Sequence, residues 1–280
     1  MIRRYIFSFF IFSLLMLICS TLFAQDNVTK IQQVLGGDNV DINILQSGDD
    51  NFIDFSFDGV NAVIEIKQYG NNNEISFVDY WGSGELWGGD MDGDNNAIYL
   101  QQNCTYGSSC LKSDIGFHIY GDYTEIIWGQ GIKLNDPTTE SGCPPTCNYT
   151  PVFTNDADEA GGHLLNLDVH GNGNTLVGWQ ANSGDGSHTT TAYLYGDDNI
   201  GYIAQRGDVD KNLTIQTNNN DNYFWVQQRD GGNHTASITL DGTEPTDLML
   251  NQTSSTNQTY SLSQYCVTSG GCAVSVTQGQ

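Results

Sequence analysis

The chain reads as an all-β protein, a β-solenoid of about 22-residue two-strand coils with inserted loops, and three observations predict it. First, alternating triplets recur at a step of eleven: Ile42, Ile44 and Gln46; Ile53, Phe55 and Phe57; Ile64, Ile66 and Gln68; Ile75, Phe77 and Asp79. Alternation puts the three side chains of a triplet on one face of a strand, and the fixed step returns that face each time. Second, Gly48, Gly59 and Gly70 follow in the same register, inside turns rich in Asp and Asn. These residues suit left-handed backbone and hydrogen bonds from side chain to main chain. Third, no amphipathic helix of useful length breaks the pattern. Ile42 realigns with Ile64, and Gln46 with Gln68, so two strand-turn halves make one coil of a stack.

In chain order, residues 1–24 have the parts of a secretory signal peptide: Arg3 and Arg4, an apolar run through Leu17 and Ile18, and a small residue at Ala24. Cleavage is expected near Ala24-Gln25, in preference to retention as a membrane anchor. Residues 25–280 are expected to form one solenoid. Its regular N-terminal array runs to Asp79, and residues 80–97 read as a Gly-rich loop carrying Trp81 and Trp87. Triplets return at Ile98, Leu100 and Gln102, at Ile115, Phe117 and Ile119, and at Ile126, Trp128 and Gln130. Residues 131–163 form the longest insertion, because Pro137, Pro144, Pro145 and Pro151 exclude a central strand. Beyond it, Leu165, Leu167 and Val169 lead to Leu176, Gly178 and Gln180. Between 196 and 216 the inward register is ambiguous by one residue, with Gln205, Gln216 and Gln227 eleven apart. Towards the C-terminus the step loosens, with Gln228 and Gln252 again closing triplets. On the order of eight coils at ~4.8 Å each give a body about 40 Å tall.

An inward Gln needs a physical reason, because a buried amide without partners costs on the order of 1–3 kcal/mol. Stacking supplies it: the amide of Gln46 can bond that of Gln68 one coil on, and Asn51 can bond Asn73 at the turn. Gln130, Gln180, Gln205, Gln228 and Gln252 are read as members of the same kind of ladder.

Setting Cys19 aside, the cysteines form three close pairs: Cys104 with Cys110, Cys143 with Cys147, and Cys266 with Cys272. In an exported chain these read as local disulfides pinning loops, with zinc binding the alternative that their spacing disfavours. Cys104 and Cys266 stand where other repeats carry Gly.

The formal net charge is −24, and removal of Arg3 and Arg4 with the leader makes it more negative. So acidic a chain repels nucleic acid; solubility is the preferred reading of the charge, with attraction of divalent cations or basic partners the alternative. Asp90 to Asn96 is the best calcium candidate, though its spacing is not that of an EF-hand and a repeat turn from Gly93 to Asn96 is preferred. No catalytic residues and no cofactor are assigned: the five histidines lack a metalloprotease spacing, and no nucleophile elbow or nucleotide-binding helix is present. Trp81 and Trp87 are the candidate ligand contacts of a glycan-binding surface. An ice-binding face would want a flat Thr-x-Thr ladder, and the sequence offers only Thr189-Thr190-Thr191.

The segments Gln46-Ser47-Gly48-Asp49-Asp50-Asn51 and Gln68-Tyr69-Gly70-Asn71-Asn72-Asn73 resemble the Gln-x-Gly-x-x-Asn core of curlin repeats, the unit of curli amyloid fibre subunits. Gln205-Arg206-Gly207 and Gln228 to Asn233 look like weaker copies. The resemblance implies export across the outer membrane by dedicated secretion machinery, an extracellular or cell-surface location, and self-assembly, or assembly with other curlin-like subunits, into biofilm fibres. The chain departs from the simple repeat in its length, its insertions, its cysteines and the replacement of Gln at Phe57, Asp79 and Leu240. A monomeric adhesin or glycan-binding solenoid is the alternative expectation.

Overall fold

A computed structural model of the protein describes residues 27–33, 41–57, 63–69, 74–80, 86–103, 113–134, 153–157, 162–182 and 186–279. The first strands are β1 (Val28–Gln33), β2 (Asp41–Ser47), β3 (Phe52–Phe57), β4 (Val63–Tyr69), β5 (Glu74–Tyr80), β6 (Leu86–Asp92) and β7 (Ala97–Asn103). Next come β8 (Asp114–Tyr120), β9 (Glu125–Gln130), β10 (Ile132–Leu134), β11 (Phe153–Ala157), β12 (Leu164–Val169), β13 (Thr175–Ala181) and β14 (His188–Thr191). The last are β15 (Ile200–Arg206), β16 (Lys211–Thr217), β17 (Tyr223–Arg229), β18 (His234–Gly242), β19 (Thr246–Thr253), β20 (Gln258–Cys266) and β21 (Cys272–Gln278).

The chain lays one strand in a first sheet, turns, lays the next in a second sheet, and returns one level along the axis. The first sheet runs β1-β3-β5-β7-β9-β13-β15-β17-β19-β21 and the second β2-β4-β6-β8-β12-β14-β16-β18-β20. Pairing within both is parallel, as winding in one sense requires. This is the expected β-solenoid, with coils about 24 residues apart. The step of 22 holds from β2 to β4, where Gln46 pairs with Gln68, and from β3 to β5, whereas Gln205 pairs with Gln228 and Gln252 with Gln278. The extra residues fall in the turns.

The core is a column of triplets. In the second sheet Ile115 stacks on Leu165, and Leu213 on Ala236; in the first, Ile75 stacks on Ile98 and Ile98 on Ile126. These side chains are buried and form one continuous cluster. Large residues sit over glycines. A Cβ on Gly178 would lie 2.3 Å from the Trp128 ring, and one on Gly201 2.1 Å from the Phe224 ring. Trp128 is fully buried, as its register predicts.

One loop expectation is corrected. Strand β6 occupies the middle of the segment expected as a loop at 80–97, and Trp87 pairs through its backbone with Ile64 and Ile115. The insertion at 131–163 contributes the antiparallel pair β10–β11, of which β10 packs near β13. On that outer side, Val177, Trp179, Ala181 and Ala204 form a second buried apolar cluster, a feature that the inward triplets do not announce. The leader expected at 1–24, together with Asn73, Trp81, Cys104, Cys110, Cys143 and Cys147, lies outside the described residues.

Candidate functional site: amide ladders and an open end

The first sheet carries a continuous glutamine ladder at the third inward position. Gln130 Nε2 donates to Gln180 Oε1 at 3.0 Å, Gln180 to Gln205 at 2.9 Å, Gln205 to Gln228 at 2.9 Å, Gln228 to Gln252 at 2.9 Å and Gln252 to Gln278 at 2.7 Å. Every bond runs in the same direction, donor to the next coil. A primary amide has a second N–H, and here it crosses the core to a main-chain carbonyl of the second sheet. Gln130 reaches Asp114 at 3.2 Å, Gln180 reaches Leu164 at 3.0 Å and Gln205 reaches Thr189 at 3.0 Å. Gln228, Gln252 and Gln278 reach Asn212, Thr235 and Thr259 in the same way. Spare acceptor capacity is also used: Trp128 Nε1 donates to Gln180 Oε1, and Thr190 Oγ1 to Gln205 Oε1. Gln130, Gln180, Gln205, Gln228 and Gln252 therefore act together, and each also ties the two sheets. The ambiguous register resolves on this column, with Gln205 and Gln228 inward. Gln216 bonds Asn218, and Gln227 lies on the opposite side of its strand from Gln228.

The second sheet holds only the start of such a ladder. Gln46 Nε2 donates to Gln68 Oε1 at 2.9 Å, but the next residue in register is Met91. Gln68 Nε2 is consequently buried without an acceptor.

Asparagines line the turns that lead into the first sheet. Main-chain N–H groups of Asn51, Thr124, Asn199, Asn222 and Thr246 donate to Oδ1 of Asn27, Asn96, Asn174, Asn199 and Asn222, all at 2.9–3.0 Å. Asn51 and Asn96 are buried, so these bonds satisfy main-chain donors that would otherwise be lost between coils. A parallel column lies further out. Asp94 N donates to Asp122 Oδ1 at 2.7 Å, Asp122 N to Asn172 Oδ1 at 2.9 Å, and Asn172 N to Asp197 Oδ1 at 2.8 Å. The calcium candidate dissolves into this pattern, because Asp92 ends β6, Gly93 to Asn95 turn, and Asn96 joins the asparagine column. Among the described residues no group of three His, Cys, Asp or Glu could hold a metal ion.

The opposite turns carry a column of buried bases. His188 N donates to His163 Nδ1 at 3.2 Å, and the two rings stack 4.9 Å apart. His188 pairs in register with Lys211, and Lys211 with His234. Burial holds His163 well below the usual imidazole range, and His188 feels the same cause, which takes it down to about 4. Burial likewise lowers Lys211 to about 8, while Lys211 Nζ donates to Val209 O. Recognising this column required knowing that residues 188, 211 and 234 stack, which the triplets imply once their turn lengths are known.

The last described coil is half-exposed along the axis. Tyr260, Leu262 and Gln264 in β20, with Val274, Val276 and Gln278 in β21, are half-exposed, whereas their counterparts one coil earlier are buried. Cys266 and Cys272 are disulfide-bonded across the turn joining these two strands. No protein family, no curated protein and no solved structure matches the chain.

Proposed function

We propose that this chain is a secreted structural protein, a curlin-like subunit or accessory of an extracellular amyloid-type fibre in cell-surface and biofilm adhesion. The open C-terminal coil is the observation that carries the reading. It presents, half-exposed, the inward pattern that the preceding coil buries, on two edge strands whose outer main-chain groups can pair with added strands. The amide columns supply register. Gln278 donates to Thr259 O and ends a column in which each earlier amide also donates to the next coil. The curlin-like segments around Gln46 and Gln68 support the same reading from sequence, as does the leader for an extracellular site reached through outer-membrane secretion machinery. The partner is another copy or another curlin-like subunit. Trp87 lies in strand β6, so the expected glycan-binding loop no longer favours the adhesin reading.

Purified protein incubated without denaturant is expected to form thioflavin-positive fibres with cross-β diffraction. Val274→Lys with Val276→Lys is expected to leave the monomer folded and stop elongation, since inward charges protect an edge. A folded wild-type chain that never elongates, alone or on preformed fibres, overturns the proposal.

A further inference from the structure

From the outer face of the second sheet we infer that this protein binds crystalline water, through a two-dimensional lattice of hydroxyl groups on β14, β16, β18 and β20. This inference stands apart from the fibre reading, because it needs only the folded monomer.

The lattice is set by strand register. One row is Thr189, Asn212, Thr235 and Thr259, paired in sequence from strand to strand. A second is Thr191, Thr214, Ser237 and Ser261. A third is Gln216, Thr239 and Ser263. All of them alternate with inward residues of the core and are half-exposed or exposed. No ionisable residue occupies any position, in a chain whose net charge is −24. The threonine ladder that the sequence lacked in one stretch is assembled by stacking segments 23 or 24 residues apart.

Two further observations point to an ordered ligand. Among the described residues the hydroxyls of these Thr and Ser residues have no hydrogen-bond partner, and their side chains alternate with the inward ones, so their hydrogen-bonding capacity faces outward. The row of Thr189, Asn212, Thr235 and Thr259 is also fixed from below, since its four main-chain carbonyls accept the cross-core amides of Gln205, Gln228, Gln252 and Gln278. Rows and columns thus keep the spacing of the sheet, ~4.8 Å between strands and about 6.7 Å between alternate residues.

A ligand that gains from such a surface is periodic in two directions, uncharged, and able to donate and accept at every point. Sugar hydroxyls meet the second and third conditions, but replacing bound water by a sugar hydroxyl exchanges one hydrogen bond for another and gains little. No aromatic ring stands among the lattice positions to supply apolar stacking. Water held on the hydroxyls is already part of an ice surface, and the rigid lattice fixes its positions before the crystal arrives.

The test uses the purified full chain at micromolar concentration in a nanolitre osmometer. The expected result is faceted ice crystals with a gap between melting and growth temperatures, together with partition of fluorescently labelled protein into growing ice. Thr214→Asp with Ser237→Asp, at the centre of the lattice, is expected to lose both effects while keeping its thermal unfolding midpoint. Met249→Asp, on the outer face of the first sheet, is expected to keep them. Unshaped crystals with folded wild-type protein, or full activity in the Thr214/Ser237 variant, overturn the inference. Binding to cellulose or chitin with no effect on ice also overturns it and assigns the face to a neutral glycan.

Discussion

The glutamine ladder of the first sheet and its short counterpart in the second use the same residue at the same inward position, yet only one is fully satisfied. From Gln130 to Gln278 every amide has a neighbour along the axis and a carbonyl across the core. At Gln68 the column meets Met91, and a buried N–H is left without an acceptor. A buried amide is therefore stabilising only as a member of a continuous column, and the end of a column inside the stack is where the cost collects.

Breaking the long ladder should have the largest effect. Gln205→Leu removes the acceptor used by Gln180 and Thr190 and takes the donor from Gln228 Oε1 and the cross-core bond from Thr189 O, so a loss of about 4 kcal/mol is expected in denaturant unfolding. An unchanged midpoint would show that the amides are passengers.

Acid should attack the same region while sparing the short ladder. His188 O accepts from Gln180, and the neutral imidazoles of His163 and His188 are buried beside Lys211 and Asp210. Their folded pKa values lie below the unfolded value of 6.5, so the unfolded chain binds more protons as pH falls. The histidine contribution to stability is then constant above about 6.5 and declines towards pH 4, by about 3 kcal/mol from His188 alone. Unfolding midpoints measured from pH 8 to 4 check this, and a flat profile would contradict the burial of the pair.

Gln46→Leu should cost less, about 1–2 kcal/mol, because it leaves Gln68 Oε1 without a donor in a site that is already imperfect. Gln68→Met should be the smallest, within about 0.5 kcal/mol of wild type, since it removes the orphaned N–H and leaves only half-exposed Gln46 to be satisfied by water. A Gln68→Met loss equal to that of Gln205→Leu would erase the distinction between the two ladders.

Much of this was legible beforehand. Alternation named Ile53, Ile66, Phe117 and Trp128 as core, and all are buried. The recurrence of Gln at the triplet end predicted amide columns, and Gln46 does bond Gln68. Strand β6 was hidden because Leu86 to Asp92 carries two glycines and two acids where other strands carry aliphatics. The second apolar cluster around Trp179 was hidden for another reason: it lies on the outward side, where the repeat imposes no pattern.

The sequence by itself determined the winding, the inward residues and the presence of polar ladders, because side-chain alternation and a repeated turn are local properties. Tertiary structure alone decided which residues stand beside one another between coils of unequal length. That alignment satisfies Gln205 and orphans Gln68, buries His163 against His188, and draws scattered Thr and Ser residues into a lattice. Parallel pairing fixes it strand by strand, and no local rule sets the number of residues spent in each turn.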